Sequence, residues 1–211
     1  MARYGQEHKD ATRRRIIGAA GRRFKRDGID GSGIATLMAD AGLTNGAFYA
    51  HFRSKDDLIA SVIDEELRLQ AAWVDALAPG RAGVEQLVRA YLSPEHRDRP
   101  DAGCPSAALL DEIGRSDVLT QEAYTAGART LLEQIAARLT PEDPAVAQGR
   151  ALSLFTMIIG TLQVSRAVAD RELSDQLLVQ GLGNALGLLG EEQHTPPAGP
   201  YRTAPTQQEI R

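Results

Sequence analysis

The stretch GIDGSGIATLMADAGLTNGAFYAHFRSKDDL, Gly28 to Leu58, decides the fold of this 211-residue chain. It opens on a turn-rich spacer with three glycines in six residues, Gly28, Gly31 and Gly33. Ser32 stands where it would cap a short helix over about 33–41, with Ile34, Leu37 and Met38 facing inward. Gly42 closes that helix. Thr44 is placed to cap a second short helix over about 45–51, with Leu43 as the apolar residue ahead of the cap. Helix, short glycine-containing turn, helix is the helix-turn-helix pattern. Ser54 then caps a third helix, with Asp56 and Asp57 in the first turn, where the helix dipole favours anions. Leu58, Ile59, Val62, Ile63, Leu67, Leu69 and Trp73 keep a helical period to about Leu77. That helix is longer than a compact three-helix module needs, so it is expected to run on into the rest of the chain.

Upstream, residues 1–8 read as frayed. A helix fits 9–27, where Ile16, Ala20 and Phe24 fall at i, i+4 and i+8, and Gly28 ends it as a C′ glycine. Downstream, helices fit about 84–92, 105–113, 117–139, 143–169 and 174–190, with Asp117, Asp143 and Ser174 as caps and residues 94–103 as a polar loop. The tail from 191 to 211 carries four prolines and few apolar residues, and it reads as disordered. The expectation is an all-α chain of about nine helices. A three-helix N-terminal helix-turn-helix domain takes 1–54 and a helical-bundle body takes 55–190.

Composition agrees. Aromatic residues make up 5% of the chain, which favours helices packed at close range over a β-sandwich. No window approaches 18 uninterrupted apolar residues, and the basic N-terminus has no apolar core behind it, so neither a membrane span nor a secretory signal is expected. The single cysteine, Cys104, builds no disulfide within the chain, and a cytoplasmic protein is the default. The net charge of −4 hides a split. Residues 1–55 hold 11 Lys/Arg against 5 Asp/Glu, and residues 56–211 hold 13 against 23. A basic head on an acidic body fits a head that meets phosphates, although Arg13, Arg14 and Arg15 also suit a merely solvated helix face.

In a helix-turn-helix the second helix lays its N-terminal residues against base edges in the major groove. Here those are Thr44, Asn45, Gly46 and Ala47. Their small size permits close approach, Asn45 carries an amide that can read adenine, and Ala47 suits a thymine methyl. Tyr49, His51 and Lys55 fall where phosphates would lie, with Ser32 and Thr36 as further backbone contacts. The plainer alternative is a set of ordinary surface residues between helices.

The run AGLTNGAFYAHFRSKDDL, Ala41 to Leu58, is similar to the signature of the TetR/AcrR family of transcriptional regulators. The matching features are Ala41-Gly42, a Thr cap at 44, Gly46, Tyr49, His51-Phe52, Ser54-Lys55 and Leu58, and upstream Ile16, Ala20, Phe24 and Gly28. The resemblance covers roughly residues 10–60, and it departs from the family's usual Ile-Ala at Leu37-Met38, a change of core packing. It implies an all-helical homodimer, not an enzyme and needing no cofactor. Such a repressor binds a near-palindromic DNA operator and is released when a small molecule enters the C-terminal domain.

The last two helices are apolar around more than one face. Leu152, Phe155, Ile159 and Leu162 form one stripe and Leu178, Leu182, Ala185 and Leu189 another, placed to meet a second subunit as a four-helix bundle or to be buried within one subunit. A small-molecule pocket would draw on Trp73, Tyr91, Leu109, Ile113, Tyr124, Leu131, Phe155, Met157 and Ile158, residues that core packing explains equally well. Cys104 sits at or before a helix start, in a Gly-Cys-Pro that resembles a subgroup of the family. It is either a thiol open to oxidation or electrophiles or a small buried cap residue. A rival reading is a helical enzyme using His96, Asp98, Cys104 and Glu112, and a third is a ligand-sequestering module without DNA. No paired metal-ligand motif is present, and Gly181, Gly183 and Gly187 miss the spacing of a dinucleotide loop.

Overall fold

A computed structural model describes residues 2–190, so the expected disorder of 191–211 falls outside the described residues. Its helices are α1 (Ala2–Asp27), α2 (Ile34–Asp40), α3 (Lys55–Ala76), α4 (Arg81–Tyr91), α5 (Pro94–Asp98), α6 (Pro105–Arg115), α7 (Val118–Leu139), α8 (Gln148–Ala167) and α9 (Arg171–Gly187). Three short 3₁₀ helices, Asn45–Ala50, Pro100–Ala102 and Pro144–Ala147, complete the order, and no strand occurs among the described residues.

The N-terminal head is α1, α2, the 3₁₀ helix at 45–50 and the start of α3. Its core is Ile16, Phe24, Leu37, Met38, Phe48, Phe52 and Leu58, each at most 2% exposed. Gly28 (φ 81) and Gly42 (φ 67) take the left-handed conformation that ends α1 and turns the chain after α2, where a side chain would be strained. Ser54 accepts from the Asp57 amide at 3.1 Å and starts α3 as expected. From there α3 leaves the head and packs along α7, where Gly127 is needed because a Cβ would sit 2.6 Å from Leu67. Head and body share one continuous apolar core.

Several local expectations change. α1 begins at Ala2 rather than after a frayed run to residue 8. Ser32 does not cap α2. It is fully buried, and its hydroxyl donates to the Gly28 carbonyl at 2.8 Å, leaving Gly33 at the cap. The second reader helix is 3₁₀ rather than α. The polar loop at 94–103 is largely helical, because Ser93 accepts from the His96 amide and Pro94 suits the first helical position. Asp143 caps nothing with its side chain. Asp170, not Ser174, caps the last helix, and Ser174 is buried with its hydroxyl on the Ser165 carbonyl at 2.6 Å.

The α8–α9 pair differs from expectation in kind. Ile159, Leu162, Leu178 and Ala185 are buried inside this subunit, while Phe155, Leu182 and Leu189 are half-buried. The helices close on each other at Gly181, where a Cβ would lie 2.3 Å from Thr161. The exposed large apolar residues of the pair are Leu152, one of the expected stripe, and Val164 on α8, with Leu173 and Val179 on α9, between 43% and 72% exposed. Pro144–Ala167 is long and apolar enough to cross a membrane by length and composition, which the count of uninterrupted apolar residues did not bring out.

Candidate nucleic-acid interface and ligand cavity

The head exposes Thr44, Asn45 and Gly46 at the start of the 3₁₀ helix, with Ala47 half-buried behind them. Thr44 is extended and makes no side-chain cap, so its hydroxyl is unspent, and no atom lies within 4 Å of a Cβ built on Gly46. Tyr49 is 70% exposed, with its ring edge-on to the buried Phe48 at 5.2 Å, which holds it outward. Thr36 is exposed on α2. Ser32, buried as described, is not available to a phosphate.

Lys55 is half-buried, and its Nζ donates to the Ile29 carbonyl at 2.6 Å, so it braces the spacer before α2 as well as carrying charge. His51 is half-buried, and burial, then Lys9 and Arg13, hold its pKa below the ordinary value, so it reaches neutral pH uncharged. Arg13 does more than solvate a helix face. Its guanidinium stacks 4.8 Å over the Phe52 ring and donates to Ser61 Oγ at 2.8 Å, tying α1 to α3. Arg23 grips Asp40 through two bonds of 2.7 and 3.0 Å and fixes α2 on α1. Arg14, Arg15 and Arg22 are exposed and make no ion pair among the described residues.

Behind the head, α3, α4, α5 and the 102–105 segment line an open-sided cavity of about 650 Å³. Of the expected pocket residues, Trp73 and Tyr91 line it. Leu109, Ile113, Leu131 and Ile158 are core, Tyr124 bonds Ser106 at 3.1 Å, and Phe155 and Met157 pack against the core elsewhere. The polar residues that sequence reasoning left out of the pocket include Glu66, Gln70, Glu95, His96 and Arg99, with Cys104 beside them. Glu66, Gln70 and Trp73 fall at i, i+4 and i+7 of α3, a spacing that could have found them.

His96 organises this wall. Its Nδ1 donates to the Tyr91 carbonyl at 2.8 Å, and its Nε2 accepts from the Cys104 amide at 3.1 Å. A carbonyl only accepts and an amide N–H only donates, so the ring is held as one neutral tautomer. Burial lowers its pKa in agreement. Cys104 is buried at the N-cap of α6, with its thiol donating to Gln70 Oε1 at 3.1 Å. Tyr91 is 5% exposed, its hydroxyl meets no partner, and burial, then Cys104, raises its pKa. Of the residues of the enzyme reading, His96 and Cys104 meet on this wall, but Asp98 and Glu112 do not join them. Asp98 pairs with Arg97 and Arg171, while Glu112 accepts from the Ile29 amide in the head at 2.8 Å.

Residues 16–62 match the family model for bacterial regulatory proteins of the tetR family. The head is therefore similar to the DNA-binding segment of tetR-family bacterial regulatory proteins. It is 38% identical over 64 residues to the HTH-type transcriptional regulator TtgR of Pseudomonas putida, a match covering 30% of each chain. To the HTH-type transcriptional repressor BepR of Brucella suis it is 39% identical over 70 residues, 30% of this chain and 34% of that one. The chain thus spans about a third of the length of the curated relatives it matches. The crystal structure of Escherichia coli NemR in its reduced form has a similar fold, with a TM-score of 0.71 at 17% identity, over 83% of this chain and 95% of that one. The TetR fold, a helix-turn-helix head on a helical C-terminal domain, therefore extends well past the stretch where sequence similarity ends. The curated proteins that the head resembles are transcription regulators, which speaks against the enzyme reading.

Proposed function

We propose that this TetR-family chain is a cytoplasmic repressor. As a homodimer it binds a near-palindromic operator, and it lets go when a small molecule occupies the cavity behind α3. The observation that carries the reading is the exposed Thr44–Asn45–Gly46 edge with Tyr49 beside it, on a head with a balance of +6 over residues 1–55. Residues 1–54 are the reader and 55–190 the ligand-binding and dimerising body. Asn45 and Ala47 read base edges. Thr36, Thr44, Tyr49, His51 and Lys55 position the head on the backbone, His51 by hydrogen bond rather than by charge.

Dimerisation is supported by the exposed large apolar side chains of α8 and α9, Leu152, Val164, Leu173 and Val179. Gly160, Gly183 and Gly187, which meet nothing within 4 Å, leave room there for a second copy. Such an interface also accounts for the apolar character of α8 without a membrane. The cavity volume lies within the range of about 300–1,000 Å³ usual for small-molecule sites. A gel shift with the DNA upstream of the chain's own gene, at stated salt, tests the reading. A specific shift is expected, and a chain that binds small molecules but no DNA would be the sequestering module instead.

A second reading is supported by Cys104, whose thiol stands on the cavity wall near the unpartnered Tyr91 hydroxyl. A reagent small enough to enter reaches the sulfur, so oxidation or electrophile addition is an alternative trigger. Release from operator by oxidant that persists in Cys104→Ser would exclude it.

A further inference from the structure

We infer that the cavity is selective for an aromatic organic cation, and that such a ligand acts by taking Glu66 from Lys25, the residue that pins the head to the cavity wall. The inference rests on the regulator reading above and adds the ligand's chemistry and the joint it moves.

Lys25 lies in α1, yet it is 7% exposed and reaches out of the head. Its Nζ donates to Glu66 Oε2 at 2.7 Å and to the Gly103 carbonyl at 2.9 Å. Both acceptors belong to residues that line the cavity. The Glu66 carboxylate lies flat on α1 because Gly21 has no side chain. A Cβ there would meet Glu66 Oε1 at 2.5 Å. The Gly103 carbonyl is held next to the Cys104 amide, which the neutral His96 ring fixes. One ammonium therefore joins the head to both sides of the cavity.

Only a cation can replace Lys25 without leaving a carboxylate unpaired in a largely buried site, which is the costly arrangement. A neutral ligand has no charge to offer Glu66, and an anionic one would repel it. The lining itself carries the carboxylates of Glu66 and Glu95 against the guanidinium of Arg99, with His96 uncharged. Trp73 shares the face of α3 that carries Glu66 and offers a ring for cation–π contact. Tyr91 adds the edge of a second ring to the same wall. Once the carboxylate swings from Gly21 toward such a ligand, Lys25 loses its charge partner and α1 loses its hold on α3 and on the 103–104 segment.

Trp73 is the chain's single tryptophan, so its fluorescence reports occupancy without a label. The full chain is titrated with phenethylammonium, phenylethanol and phenylacetate, which share a ring and differ in charge. Saturable binding of the cation about tenfold tighter than the alcohol is expected, with the acid weakest. Lys25→Met should tighten the cation by removing its competitor, Lys25→Arg should behave as wild type, and Glu66→Gln should erase the cation's advantage. Hydrogen exchange should rise at residues 24–33 on saturation with the cation while 171–187 stays protected, a localisation that general destabilisation would not give. Equal binding of the three probes, preference for the acid, no binding of any, or a Lys25→Met chain that binds the cation no tighter would each overturn the proposal. These measurements need no DNA, so failure of operator binding would fall on the regulator reading alone.

Discussion

The head and the α8–α9 face are both helical and both rich in apolar residues, but they use them in opposite ways. In the head, Phe24, Phe48 and Phe52 close a small core completely, and what remains outside is polar or presented, as Tyr49 is. On α8 and α9 the core side is closed equally well by Leu154, Ile158, Leu162 and Leu178, but Leu152, Val164, Leu173 and Val179 stay outside. The head closes its core within one copy, whereas α8 and α9 leave large apolar side chains exposed. A large side chain removed from the first should cost stability, and a charge placed on the second should cost assembly.

The largest effect is expected for Phe24→Ala. Removing a fully buried ring from a core this small should destabilise the chain by about 3–5 kcal/mol, read as a lower denaturation midpoint together with loss of DNA binding. Next comes Val179→Glu. At 72% exposed it should leave monomer stability almost unchanged while weakening dimerisation by about 2 kcal/mol or more, seen as monomer by sedimentation at micromolar protein. A dimer of wild-type affinity in that variant would remove the α8–α9 face from the interface. Smaller still, Asn45→Ala should cost about 1–3 kcal/mol of discrimination between operator and random DNA, whereas Tyr49→Ala should weaken both alike.

The smallest expected effect is on pH. His51 and His96 have pKa values lowered in the folded state, so the unfolded chain binds more protons as pH falls below about 6.5. Their contribution to stability is therefore present above that value and is lost on acidification. Protonating His96 also removes the acceptor of the Cys104 amide. His96→Gln should flatten part of the loss in a thermal-melt series, and an unchanged pH slope would contradict the assignment.

The same contrast sets what the sequence could tell. The head was legible because Ile16, Ala20 and Phe24, the turn glycines and Ser54 act locally, each at a spacing that fixes its role. Ser32 misled because a hydroxyl before a helix suits a cap, and nothing local reveals that it turns inward to Gly28. The 94–103 segment misled because its polar residues pair over long range, as Arg97 does with Ser174 and Asp175. On α8 and α9, an apolar period shows that a face is buried but not by what. Ile159 and Leu162 therefore fell to the core, while Val164 and Val179 stayed outside. The cavity was least legible of all, since its walls come from three helices and a turn, and Glu66 reads as an ordinary surface acid until Lys25 is seen beneath it.

The central claim, that Gly28 to Leu58 is a sequence-reading head, is tested most directly by fluorescence anisotropy. The full chain would be titrated into its own upstream DNA and into a shuffled duplex of equal composition, across a salt series. The account predicts clear preference for the upstream DNA, a binding constant that falls steeply with salt on both duplexes, and a preference that shrinks in Asn45→Ala while the salt slope is kept. Equal affinity for the two duplexes at every salt, or a preference untouched in Asn45→Ala, would contradict it.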